Sequence, residues 1–145
     1  MKIYVKSNAD EPSIKFSLDE QEYRETDYYD EDESGDEQAL LYETYNLSVM
    51  LGGKKIGYGY LYLFYDEDGD VSVAYVKDIN INEEYRNHGY GTSVLQQLSE
   101  KYGEIYICPD NPDAERLYDR LGSRVSSPPE EIESELDNWD SMFVI

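Results

Sequence analysis

Two rhythms of apolar and polar residues run along the chain. Ile3–Val5 and Ile14–Leu18 read as short strands, and three longer strand-like runs follow at Leu40–Leu51, Ile56–Tyr65 and Val71–Ile81. In the second of these, Tyr58, Tyr60 and Tyr62 alternate with Gly57, Gly59, Leu61 and Leu63, the period of two expected of a strand with distinct faces. Gly52-Gly53-Lys54-Lys55 and Asp66-Glu67-Asp68-Gly69-Asp70 separate the runs with turn chemistry, which predicts an antiparallel meander. The rhythm then changes. Val94, Leu95, Leu98 and Tyr102 fall at helical spacing, and Gly103 stops that helix. Glu104–Cys108 reads as a buried strand. Asn111 and Pro112 supply an N-cap and a first helical residue, Asp113 lies in the first turn, and Ala114, Leu117, Tyr118 and Leu121 share one face before Gly122. Ser126–Asp140 is polar and acidic, and Met142–Ile145 reads as a last short strand.

At 145 residues and 39% hydrophobic content, the chain suits one domain spanning 1–145 with a real core. No stretch approaches the roughly 18 apolar residues a membrane helix needs, and Met-Lys-Ile-Tyr lacks the apolar region of a signal peptide. Cys108 stands alone and cannot form an internal disulfide, as suits a reducing compartment. These features predict a cytoplasmic protein without membrane attachment.

Charge changes the picture more. The formal net charge is −21, which disfavours direct binding to nucleic acid or anionic membrane and favours cationic partners. Eleven carboxylates crowd Asp19–Glu37 with Arg24 as the only base, so an acidic loop or solvated arm is expected at about 19–38. Residues 86–124, by contrast, are nearly neutral. An anionic ligand would find its least repulsive ground there.

That same segment contains "NEEYRNHGYGTSVLQQL", a charged turn and two glycines between a strand and a helix. Glycines let backbone approach a ligand, and successive N–H groups join the positive helix terminus in an anion cradle. "DININEEYRNHGYG" followed by "VLQQL", a strand and "NPDAERLYDRLG" resembles the Gcn5-related N-acetyltransferase superfamily. The likeness covers residues 71–122. It includes Arg-x-x-Gly-x-Gly at Arg86, Gly89 and Gly91, and Asn-x-x-Ala-x-x-Leu-Tyr-x-x-x-Gly at Asn111, Ala114, Leu117, Tyr118 and Gly122.

The resemblance implies an α/β (α+β) fold with a mixed central sheet, flanked by helices, whose fourth and fifth strands splay apart. Acetyl-CoA would be the co-substrate, its pantetheine arm between those strands. The pyrophosphate would sit on the N–H groups of Arg86, Asn87, His88, Gly89, Tyr90, Gly91 and Thr92. Ile79 and Ile81 would offer main-chain groups, Asn111 would join the cofactor site, and Tyr118 would stand near the sulfur as general acid.

Thioester aminolysis needs these parts. Negative charge develops on the carbonyl oxygen and then on sulfur, so an N–H donor and a proton source both lower the barrier. An alkylammonium acceptor, with pKa around 10, must lose a proton before attacking. Asp78 is the first candidate base and Glu83 or Glu84 the second; many relatives carry a carboxylate where this chain has Lys77. Ser123 also departs from the family pattern, which often has an aromatic after the glycine.

Plainer readings stand beside these. On periodicity alone, Tyr118 would be a core residue and Arg86 a turn residue. His88 lacks partners for a metal site, so no metal is expected, and Cys108 suits core packing. The acidic run, with Glu130, Glu131, Glu133, Glu135, Asp137 and Asp140, would make an acceptor mouth negative from two sides, predicting a lysine on a basic protein or a polyamine as acceptor. The competing class is a non-catalytic acidic interaction protein or nucleic-acid mimic that binds a basic partner.

Overall fold

The computed structural model describes residues 11–26, 37–135 and 141–145. Four long strands, β1 (Ser13–Thr26), β2 (Glu37–Leu51), β3 (Lys54–Tyr65) and β4 (Val71–Ile81), form the expected antiparallel meander. The β2–β3 connection uses Gly52 and Gly53 at φ +56° and +83°, a pair of positive values that matches the twist of a tight hairpin. In the β3–β4 turn, Asp66 Oδ1 accepts from the N–H groups of Asp68 and Asp70 at 2.9 and 3.0 Å.

A 3-10 turn at Glu83–Tyr85 leads to α1 (Tyr90–Tyr102), β5 (Tyr106–Ile107), α2 (Pro112–Leu121), β6 (Ser123–Arg124), α3 (Glu130–Glu135) and β7 (Phe143–Val144). β5 lies parallel to β4, whereas β7 runs antiparallel to both β5 and β6, so the seven strands are ordered β1-β2-β3-β4-β5-β7-β6. The sheet is mixed. Helices cover parts of both faces, as the resemblance implied.

On the first face, Leu47 and Val49 of β2, Leu61 and Leu63 of β3, and Ala74 and Val76 of β4 pack beneath Val94, Leu95 and Leu98 of α1. Of the four helical positions read from the sequence, Val94, Leu95 and Leu98 are buried and Tyr102 is half-buried. The second face holds a smaller cluster in which Phe64, Val73 and Tyr75 meet Ile132 of α3 and Met142. Glu43 is a buried charged residue on the first face; Gln21 Nε2 donates to it at 2.9 Å and the Tyr65 hydroxyl donates to its other oxygen. Burial opposes its charge, but these donors and Tyr45 outweigh it and hold the carboxyl below its usual range.

Several expectations change. Residues 19–26 of the supposed acidic arm are strand, continuing β1 to Thr26; residues 27–36 lie outside the described residues, and Glu37 opens β2. Backbone pairing with β2 does not depend on side-chain polarity, and exposed carboxylates suit an edge strand because they discourage pairing with another chain. The short strand expected at Ile3–Val5 also lies outside the described residues. β5 is shorter than Glu104–Cys108. Within the tail, α3 was not foreseen: six residues are too few to show a period, and Ile132 is its buried apolar anchor.

Two glycines on β3 set the spacing of the sheet beneath the functional half. A Cβ on Gly59 would lie 2.3 Å from the Asp78 carbonyl oxygen and 2.7 Å from Ile79 Cδ1; on Gly57 it would lie 2.5 Å from the Asn80 oxygen. Gly59→Ala should therefore push β4 outward and cost about 1–3 kcal/mol, read as a lower denaturation midpoint at unchanged m-value. Thr44 Oγ1 is buried without a hydrogen-bond partner among the described residues. Thr44→Val, which removes that unpaired hydroxyl at similar size, should raise the unfolding free energy by about 1 kcal/mol, read as a higher midpoint.

Candidate active site

β4 changes neighbours along its length. Tyr75 and Val76 pair with Tyr106 and Ile107 of β5, and there the parallel pairing ends. The β3 register steps from Tyr60↔Asp78 to Leu61↔Val76, leaving Lys77 as a bulge. Beyond it, residues 77–81 have no partner on the β5 side, and a gap opens between the two strands. A bulge of this kind re-aims the strand and ends pairing.

The main chain of β4 beyond the bulge faces both ways. The Asp78 and Asn80 carbonyls crowd the β3 glycines, and the Asn82 N–H donates to Ile56 O at 2.8 Å. By strand alternation, Ile79 and Ile81 turn their main-chain groups toward the gap. The Ile81 carbonyl is already used: Arg86 Nε donates to it at 2.9 Å, and Arg86 Nη2 reaches Asn80 Oδ1 at 3.4 Å. Arg86 thereby ties the following loop to the end of β4.

That loop turns on Asn87 at φ +65° and Gly89 at φ +78° before α1 begins. The first intrahelical bond runs from the Ser93 N–H to Gly89 O at 3.0 Å. The N–H groups of Tyr90, Gly91 and Thr92 precede it, no side chain caps the terminus, and the first turn holds no acidic residue. A Cβ on Gly89 would have open space around it, and one on Gly91 would meet only Ile81 Cγ1 at 3.9 Å. The absence of side chains leaves room in front of the amides.

α2 begins differently. Asn111 Oδ1 accepts from the Ala114 N–H at 2.8 Å, and Asp113 and Glu115 sit in its first turn. Its N-terminus is capped and negatively flanked, so the α1 terminus is the one open to an anion.

A cleft of about 1070 Å³ joins the β4 gap, the α1 terminus and α2. Of the residues expected from the sequence, Ile79, Ile81, Arg86, Asn87, Gly89, Tyr90, Gly91, Thr92, Asn111 and Tyr118 line it. His88 does not; its ring packs on Tyr90 at 5.6 Å. Asp78, the first candidate base, is also outside the lining and is joined to it through Asp110, and Glu83 and Glu84 sit on the exposed 3-10 turn outside it. Sequence reasoning missed Asp110, Arg116 and Arg120, all of which line the cleft. The i, i+4 spacing of Arg116 and Arg120 on a polar helix face was the available signal. Arg116 pairs with Asp113, while Arg120 has no ion-pair partner among the described residues.

Tyr118 closes the inner end. It is 6% exposed and stands edge-on to Phe143, ring centroids 6.1 Å apart. Burial above all, and then the nearby charges of Asp110 and Asp78, push its hydroxyl up to about 12. The neutral, proton-donating form is thus the one maintained. Asp78 from β4 and Asp110 from the β5–α2 connection meet in a carboxyl–carboxyl hydrogen bond, which together with burial raises the Asp110 carboxyl above its usual range. Like charges this close favour sharing one proton. Cys108 is engaged nearby, hydrogen-bonded to Tyr75.

The structure thus brings an open helix terminus, a buried tyrosine hydroxyl and a carboxyl pair around one cleft. Residues 7–123 match the model of the acetyltransferase (GNAT) family. The chain belongs to that family. Among solved structures, it resembles the putative acyl-CoA N-acyltransferase of Klebsiella pneumoniae at 17% identity, with 70% of each chain covered and a TM-score of 0.50. It also resembles Tetrahymena Gcn5 at 14% identity, with 70% of this chain and 66% of that one covered and a TM-score of 0.52. These likenesses concern the fold. None of the curated protein sequences matches the chain significantly.

The contrast between helix termini can be measured. Titrated pyrophosphate should shift the backbone amide resonances of Tyr90, Gly91 and Thr92 and leave that of Ala114 in place. A Gly91→Glu variant should lose those shifts through repulsion and occlusion.

Proposed function

We propose that this chain is an acetyl-CoA-dependent N-acetyltransferase that passes the acetyl group to a primary amine of a cationic acceptor by direct attack on the thioester. The observation carrying this reading is the uncapped α1 terminus, which opens into a cleft lined also by Tyr118 and by Asp110, the hydrogen-bond partner of Asp78. The N–H groups of Tyr90, Gly91 and Thr92 hold the pyrophosphate of acetyl-CoA. Arg120, which has no ion-pair partner among the described residues, adds positive charge along the cleft wall. The unused main-chain groups of Ile79 align the pantetheine arm and the thioester carbonyl in the β4 gap.

Asp78, paired with Asp110, takes a proton from the acceptor ammonium. Glu83 is a poorer base because it lies on the exposed 3-10 turn, whereas Asp78 is hydrogen-bonded to Asp110, which lines the cleft. The free amine nitrogen forms a bond to the acetyl carbon, the carbon–sulfur bond breaks, and Tyr118 gives its proton to the departing thiolate. An amide and free coenzyme A result. The oxyanion that precedes them is within the province of the β4 main-chain donors.

The acceptor is cationic in this reading because the formal net charge is −21 while residues 86–124 are nearly neutral, so the acidic surplus lies outside the cofactor half. A lysine on a basic protein and a polyamine both meet that condition. We infer one domain and a cytoplasmic setting, consistent with Cys108 being the one cysteine of the chain and so outside any internal disulfide. A purely electrostatic acidic binder is the competing reading, but it gives no use to an open cleft with a nearly neutral wall.

Tyr118→Phe decides between them. Calorimetry should find acetyl-CoA affinity within about threefold of wild type, while kcat falls by about 10²- to 10³-fold. Loss of activity without loss of binding supports the enzyme; a wild-type protein that binds no acetyl-CoA sinks it. With the Tyr118 hydroxyl held up to about 12, the donor stays protonated up to that pH. The wild-type rate should accordingly show no alkaline fall before pH 10, since protonated tyrosine persists below its raised pKa.

A further inference from the structure

We propose that the open half of the second sheet face docks the acceptor, and that the acceptor is a linear aliphatic oligoamine lying across the strands. One terminal amine stands at Asp78 and a second ammonium reaches Glu20 or Glu22. This rests on the acetyltransferase reading above and specifies the acceptor for it.

The strand register builds the surface. Tyr58, Tyr60 and Tyr62 stand in file along β3, since alternate residues share a face. Directly opposite on β4 are Asn80, Asp78 and Tyr75; Tyr58 accepts from Asn80 Nδ2 at 3.4 Å, which fixes their common face. On the other side Tyr62 lies opposite Thr44, and Thr44 opposite Glu20; the next row carries Tyr42 and Glu22. A carboxylate therefore stands at each margin, with tyrosine rings between them. Three inter-strand steps, about 14 Å, separate the margins across the strands; because Asp78 shares the row of Tyr60, Asn46 and Ser17, Glu20 and Glu22 are also displaced by two and four residues along them and stand about 16 and 20 Å from Asp78.

Coverage is uneven. α3 and Met142 pack over the Phe64, Val73 and Tyr75 end, whereas Tyr58 and Tyr60 remain 41% and 39% exposed. Exposed rings of this kind accept ammonium groups over their faces and methylene stems along them, an interaction of about 3- to 30-fold in affinity. Lys15 shares the row of Ser48 and Tyr58 and makes that corner positive. It directs the second ammonium to the Glu20 and Glu22 margin.

The same face argues against a peptide. β2 and β3 are paired on both sides and offer no strand edge to a peptide backbone, whose amide groups would lose water without gaining partners. An oligoamine has no amides to satisfy. It also approaches Asp78 from this face, while the thioester enters through the β4 gap beside Ile79, so acceptor and donor need not compete for space.

Spermidine, butylamine and a lysine-rich peptide serve as probes, with kcat/KM compared as ratios. Wild type should prefer spermidine to butylamine by about 10- to 100-fold, and spermidine to the peptide. Tyr60→Leu and Glu20→Gln, Glu22→Gln should each cut the spermidine-to-butylamine ratio about 3- to 30-fold, while Tyr60→Phe, which keeps the ring, should retain it. Ratios unmoved by these variants, or a peptide that outperforms spermidine, overturn the docking proposal and leave the acetyltransferase reading standing. Should no amine be acetylated although acetyl-CoA binds, that reading fails, and docking is judged separately from spermidine-induced shifts of tyrosine ring resonances. Shifts confined to Tyr58, Tyr60 and Tyr62 support it; their absence overturns it.

Discussion

The parting of β4 from β5 is the constraint on which the site depends. A sheet normally satisfies every interior backbone group with a neighbouring strand, and an interior edge left open would be a liability. Here the Lys77 bulge and the two-residue length of β5 end the pairing after Val76. The cost of the unpaired main chain is limited on one side by Arg86, which occupies the Ile81 carbonyl. What remains open is a short stretch around Ile79, bordered by Tyr118 and the two carboxyls. The chemistry proposed for this chain amounts to filling that stretch with a thioester.

Rigidity on the opposite edge of β4 keeps the opening in place. Gly57 and Gly59 admit the Asp78 and Asn80 carbonyls so closely that β3 and β4 cannot drift relative to one another without a clash or a lost hydrogen bond. The same strand then has a tight edge and a free edge over the same five residues. Division of labour between the two helices follows. α1 leaves its N-terminal amides uncapped and faces the cleft with them, while α2 caps its own terminus with Asn111 and contributes side chains.

Much of this was legible in the residues. The periodicity of β3, β4 and α1, the Asn111 cap, and the glycine turn before α1 all follow from local rules, and the glycine turn points to the cleft without any tertiary information. The failures have physical causes. Asp19–Thr26 looked like a solvated arm because its carboxylates obscure a strand held by backbone pairing with β2 and by the Gln21 bond to Glu43. α3 is one buried isoleucine in an acidic stretch. Asp110 becomes notable only when β5 and β4 bring it against Asp78, a meeting between residues 32 positions apart that no spacing rule anticipates. Arg120 is ordinary helix surface until the cleft forms beside it.

β7 has a bearing on how the fold is reached. It lies between β5 and β6, and Gly122 is where it passes closest: a Cβ there would come within 1.9 Å of the Val144 oxygen. β5 and β6 are thus not neighbours of each other and acquire a shared partner only when the latest strand arrives between them. The contact that backs Tyr118 with Phe143 spans 25 positions and the β5–β7 pairing up to 38, against 37 between Ser13 and Met50 in the β1–β2 pair, so both halves of the sheet rest on contacts of long sequence separation. The wall behind Tyr118 is complete only with the C-terminal strand in place.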